Sequence, residues 1–160
     1  MKILRSKKGV TLMEVIVASL MFAIVAIAAT TAMAPMLRFQ MRANDIAEVN
    51  SIFDNVANVI IRDLSSASDV INYGTDDILE VSIPTLGDIE LSIAPDPANN
   101  NLLALLRNGV SVLPAGYFRN NAVSFNVTEP STGVFNVRIS VTDITGMTER
   151  NFVVRPLMMI

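Results

Sequence analysis

The stretch that decides the fold is RSKKGVTLMEVIVASLMFAIVAIAATTAM, Arg5–Met33, in which a basic cluster and a glycine precede an apolar run. From Val10 to Leu37 the only ionisable residue is Glu14. A helix of about 28 residues is roughly 42 Å long, more than a ~30 Å hydrocarbon core requires. Basic residues ahead of such a run hold the N-terminus in the cytoplasm and send the C-terminal remainder outward. A carboxylate inside a span costs about 2.5–3.5 kcal/mol at its centre and less near its boundary, so a plain anchor gives Glu14 no purpose.

The order of parts also separates this segment from a secretory signal peptide. Such a signal places its small-residue cleavage site after a short apolar core, and Ala32-Met33-Ala34 offers one formal candidate. Here the small residue, Gly9, stands before the apolar run and directly behind Lys7 and Lys8.

The rest of the chain differs in charge and period. Lys2, Arg5, Lys7 and Lys8 put a charge of +4 on the leader and include every lysine; beyond it eight arginines face fifteen acids. An acidic body of this kind is a poor non-specific partner for nucleic acid or anionic surfaces. Cysteine and histidine are absent, which excludes disulfides, thiol nucleophiles, Ser-His-Asp triads and the usual zinc sites.

Past Leu37, Ile46, Val49, Phe53, Val56, Ile60, Leu64 and Ala67 recur in steps of three and four, while Asn44, Asp45, Glu48, Ser51, Asn55, Asn58 and Arg62 take the other faces. No glycine stands between Val10 and Tyr73, and Pro35 is the single breaker, where a kink is expected. One nearly continuous helix over about 11–68 is predicted, its second half presenting a core stripe.

After Asp69 the period falls to two. Ile89, Leu91 and Ile93 alternate with Glu90 and Ser92; Val123, Phe125 and Val127 with Ser124, Asn126 and Thr128; Phe135, Val137, Ile139 and Val141 with Asn136, Arg138 and Ser140. These are half-buried antiparallel strands. Pro84–Asp88 and Pro130–Gly133 read as turns, and Asn108-Gly109 as a two-residue hairpin. Strands are predicted over 78–83, 89–94, 102–107, 110–113, 122–128, 134–142 and 150–155.

With these parts in place, Lys8-Gly9-Val10-Thr11-Leu12-Met13-Glu14-Val15 resembles the prepilin signal of type IV pilins and type II secretion pseudopilins. The resemblance implies an α+β, pilin-like fold, a long N-terminal helix packed on an antiparallel β-sheet head. It also implies a leader over 1–9, a membrane and filament-core helix over 10–37, and a head over 38–160, with helix to 68 and strands from 74. By carry-over, prepilin peptidase cuts between Gly9 and Val10, and Val10 is N-methylated, although most members begin with Phe. Glu14 then pairs in the filament with a neighbour's N-terminal amine. A buried carboxylate beside an amine gains much where screening is weak, so the pair sets register. The run Ile60–Ala67, with Arg62-Asp63 before Leu64, resembles the helix end of J-type minor pseudopilins and related minor pilins.

The implied protein is a structural minor subunit, held in the inner membrane by one span with its head outside, then moved into a periplasmic or extracellular filament, at the tip. Its partners are prepilin peptidase, the other minor and major pseudopilins or pilins, and the membrane. No cofactor, metal, nucleic acid or small-molecule substrate is expected, and no catalytic residue. Two rival classes make distinct demands. A DNA-uptake pilin needs arginines such as Arg107, Arg119 and Arg138 to converge on one face. A tethered enzyme needs a pocket with convergent polar groups, for which Asp76-Asp77 with Glu80, or Asp88 with Glu90, are the candidates. Asp96–Asn101 is oxygen-rich but lacks the acidic spacing of a calcium loop, and reads as a surface loop. Apart from the J-type resemblance, the Arg62-Asp63 step on a helix surface reads as an ordinary solvated pair.

Overall fold

The computed structural model describes residues 11–119 and 121–157. The chain divides into two compact units, Met1–Asp45 and Ile46–Ile160. Helix α1, Leu12–Ser65, begins in the first and ends in the second, and Pro35 lies within it. Eight strands follow: β1 Asp69–Asn72, β2 Ile78–Ile83, β3 Gly87–Asp96, β4 Asn99–Arg107, β5 Val110–Ser111, β6 Ala122–Ser131, β7 Val134–Asp143 and β8 Gly146–Val154. The α+β, pilin-like architecture expected from the sequence is present.

The strands form two antiparallel sheets in simple sequence order, β1-β2-β3-β4-β5 and β6-β7-β8. Alternation drives both. Leu79, Val81 and Ile83 on β2 and Ile89, Leu91 and Ile93 on β3 point inward; so do Val123, Phe125 and Val127 on β6 and Phe135, Val137, Ile139 and Val141 on β7. The helix supplies Val49, Ile52, Phe53, Val56, Ala57, Val59, Ile60 and Leu64 to the same core. That face is wider than the predicted stripe because it meets side chains from both sheets, which draws in Ile52, Ala57 and Val59. Ile46 falls outside it, at 62% exposure.

Several strand ends depart from expectation. The helix stops at Ser65, and Ser68 N–H already donates to Ser82 C=O at 2.8 Å, which starts the unexpected strand β1. Asp96–Asn101 is a tight turn rather than a loop: β3 runs to Asp96 and β4 resumes at Asn99. Asp96 is buried and its Oδ1 accepts from Ala98 N–H at 2.9 Å, closing the turn locally. At Asn108-Gly109 both residues have positive φ, 51° and 77°, as a type I′ hairpin turn requires.

One segment fastens the sheets together. Gly74 N–H donates to Val127 C=O at 2.9 Å, and Asp77 N–H to Phe125 C=O at 2.8 Å. Phe125 N–H returns a bond to Asp77 Oδ1 at 2.8 Å, and Asn126 Nδ2 donates to Asp76 Oδ1 at 2.8 Å. The β1–β2 connection thereby covers backbone groups on the edge of β6 that would otherwise lie open.

Candidate assembly site

Gly9 and Val10, the expected cleavage and methylation positions, lie outside the described residues. The site is therefore built from Thr11 onward. Thr11 sits just before the first helical residue, and Glu14 three places later, a spacing that allows reciprocal capping. Thr11 N–H donates to Glu14 Oε2 at 2.9 Å, and Glu14 N–H donates to Thr11 Oγ1 at 3.3 Å. The Thr11 hydroxyl also donates to Glu14 Oε2, at 3.2 Å. Two orphan N–H groups at the helix start are satisfied in this way. The T-x-x-E signal is present in the sequence, and its role in starting the helix is an addition to the pairing role that the resemblance implies for Glu14.

From Thr11 to Ala47 every helical residue is exposed. Leu12, Phe22, Val25 and Ile27 show 81%, 76%, 65% and 64% of their surface, so this apolar face is exposed among the described residues. The stretch is long and apolar enough to cross a membrane. Its few hydroxyls are turned in on the helix: Ser19 donates to Val15 C=O, and Thr30 and Thr31 to the carbonyls of Ala26 and Ile27. A span needs such closure, because lipid offers no partner for a free polar group.

In the head, Arg62, Arg107, Arg119 and Arg150 meet carboxylates. Arg107 Nε lies 3.0 Å from Asp63 Oδ2, near enough for an ion pair though not aligned as a hydrogen bond. Its Nη2 donates to Asp63 Oδ1 at 3.3 Å. Arg119 Nη1 meets Glu48 Oε2 at 3.0 Å, and Arg150 lies over the Phe53 ring at 4.8 Å while reaching Asp54. Arg138 lines a separate concavity with Asp76, Asp77 and Glu149.

The Arg62-Asp63 step is not the solvated pair expected. Asp63 is 2% exposed, because the helix end turns it toward β4 and Arg107. Arg62 stays at the surface, with its Nε 3.3 Å from Asp63 Oδ1.

The candidate carboxylate pairs resolve into structural contacts. Asp76 and Asp77 serve the tie to β6, and burial pushes the Asp77 carboxyl above its ordinary value, with Phe125 N–H drawing it back and Asp76 adding to the rise. Glu80 and Glu90 stand directly opposite each other across β2 and β3, and Asp88 opposite Ser82. Among the described residues no group of three or more Asp, Glu, His or Cys side chains is placed to hold a metal.

Residues 4–30 match the prokaryotic N-terminal methylation motif. No curated protein and no solved structure matches the chain. The motif supports a type IV pilin-like or pseudopilin-like protein, processed by prepilin peptidase and assembled with other pilins. With the exposed apolar helix behind it, the motif fits a membrane-anchored pilin. It suggests a structural subunit rather than an enzyme.

Proposed function

We propose that the chain is a minor filament subunit, a J-type-like pseudopilin of a type II secretion system or its minor type IV pilin counterpart, acting at the tip. It resides in the inner membrane with its N-terminus in the cytoplasm, is cut between Gly9 and Val10, and is methylated on Val10. Leader 1–9, span 10–37 and head 38–160 are its three working parts. In the filament Glu14 takes the N-terminal amine of a neighbour.

The observation that carries this reading is the methylation motif at residues 4–30, most of which lies in a helix whose apolar side chains are exposed among the described residues. Burying roughly 100 Å² of such surface is worth about 2.5 kcal/mol, so the face is a strong drive toward lipid or other helices. The J-type assignment is supported by the Arg62-Asp63-Leu64 run at the helix end and by the order of a long helix before the strands. The DNA-uptake alternative is disfavoured by Arg107 and Arg119, each engaged by a carboxylate.

Processing is the direct test. Co-expressed with a prepilin peptidase, the chain should yield a mature N-terminus at methylated Val10 by mass spectrometry. Replacing Gly9 by leucine should block the cut, since the site must accept a residue without a Cβ. Recovery of full-length protein alone, or of a product beginning after Ala34, would overturn the reading.

A further inference from the structure

The outer end of the exposed helix carries a feature that neither cleavage nor the Glu14 pairing uses. Thr31, Ala34, Pro35, Arg38, Phe39 and Arg42 line a concavity of about 610 Å³. Its floor is low because Ala34 and Pro35 are small between the longer side chains. Pro35 also has no N–H to give the Thr31 carbonyl, which leaves that oxygen without its usual i+4 helical donor. Arg38 and Arg42, one turn apart, stand on the same side of the helix, roughly 5–6 Å apart at their Cβ atoms. They are the first cations after the leader. Neither enters any of the ion pairs found among the described residues.

Depth selects the occupant. Measured from Leu12, a ~30 Å hydrocarbon core takes about 20 residues of helix, and the headgroup layer beyond it roughly another 5–7 Å. The Arg38 backbone then stands just beyond that layer, about 39 Å along the helix from Leu12. Helical side chains lean toward the N-terminus, so the Arg38 guanidinium reaches back into the headgroups and that of Arg42, rooted one turn farther out at about 45 Å, reaches their outer edge. Cations are favoured on the cytoplasmic flank of a span and not on this one, so their presence here calls for a partner. A guanidinium pair matches a phosphate bidentately, and Phe39, 74% exposed, stands beside Arg38 at nearly the same depth.

We propose that Thr31–Arg42 is a seat for the headgroup of an anionic phospholipid in the outer leaflet of the cytoplasmic membrane. Arg38 and Arg42 clamp its phosphate, and the small side chains of Ala34 and Pro35 leave room for its glycerol. The seat fixes how deep the subunit rides before assembly. This rests on the membrane-anchored reading of the helix.

The test uses the full chain in nanodiscs of equal phosphatidylglycerol and phosphatidylcholine, with retained lipids counted by native mass spectrometry. The wild type should keep phosphatidylglycerol at least threefold over phosphatidylcholine. The double variant R38Q/R42Q should lose most of that preference, and R38K/R42K should hold part of it, since charge survives without the bidentate fork. Gln and Lys are good helix formers, so the exposed helix should tolerate both. The leader cations are common to all three proteins and add the same preference to each, so the seat is read from the drop between the wild type and R38Q/R42Q. An unchanged preference in R38Q/R42Q, or none in the wild type, overturns the seat. An unchanged preference with reduced recovery of partner subunits would instead assign the arginines to a neighbouring helix, and also overturns it. Flotation with neutral vesicles separates the two readings: a wild type that fails to float removes the membrane anchor itself, and the seat with it.

Discussion

At Glu14, one carboxylate oxygen takes both the backbone N–H and the hydroxyl of Thr11, so the side chain supports the helix start even in a lone subunit. The proposed filament role needs its charge, whereas the cap needs only an acceptor. Glu14→Gln should therefore retain the helix start yet lower filament yield and partner recovery as far as Glu14→Ala does. Glu14→Asp should be intermediate, its shorter reach weakening the pair. Losing the cap in the alanine variant should cost the isolated helix no more than about 1 kcal/mol. Normal assembly by Glu14→Gln would leave capping as the residue's whole role. A different carboxyl, Asp77, predicts a pH effect. Burial raises it above its ordinary 3.8, so the folded state holds the proton more tightly than the unfolded chain. Its contribution is fully present below that ordinary value and is lost as pH rises through the raised one. Asp77→Asn keeps an oxygen for Phe125 N–H and suits the positive φ of 63°. Denaturant unfolding should show the variant gaining on the wild type between pH 4 and pH 7; a gap that narrows over that interval would contradict the assignment.

Among the elements, the join between the end of α1 and β4 depends on one buried ion pair. Asp63→Ala leaves Arg107 facing the core without its partner, and Arg107→Gln leaves the buried carboxylate short of its nearest cation. Each should destabilise the head, Asp63→Ala by about 3 kcal/mol, near the lower end for such pairs because Arg107 is still partly wetted. Equilibrium unfolding of the two single variants and the double would measure the coupling. Across β2 and β3, Glu80 and Glu90 face each other with like charge. Glu90→Lys should stabilise by about 0.2–1 kcal/mol, and more at low salt, readable as a shift in denaturation midpoint. These elements also show what the chain announces locally. Strand β2 is legible to the residue, since Leu79, Val81 and Ile83 alternate cleanly between turn residues. Strand β1 is not, because Val70 alone among its four residues is buried, too little for a period to register. Asp63 reads as surface by residue type. Its partner lies 44 positions away, and nothing near it in sequence marks the pairing. Thr11 and Glu14 carry a readable capping spacing, but the surrounding apolar run draws attention to the charge instead.

For the molecule as a whole, the head unit Ile46–Ile160 holds the buried core among the described residues, while the exposed apolar surface is concentrated before it. A protein beginning near Ile46 should be soluble and give a circular dichroism spectrum with both helix and strand. It should unfold in a single cooperative step; an unfolded or all-helical product would show that the core needs the preceding helix. The consequence of the sheet order lies in folding time. Each strand pairs with its neighbour in sequence, with no crossover in either sheet. Loop closure is therefore short nearly everywhere, and loop closure is what slows β-rich chains. The distant contacts that remain join the two sheets, through Asp76 and Asp77 to β6, and the helix to the sheets, Arg107 to Asp63 and Arg150 to Asp54. Hairpins can form first as separate local events, with docking of the helix as the slow step. Variants at these arginines would then slow the last stage of folding while leaving early strand formation untouched.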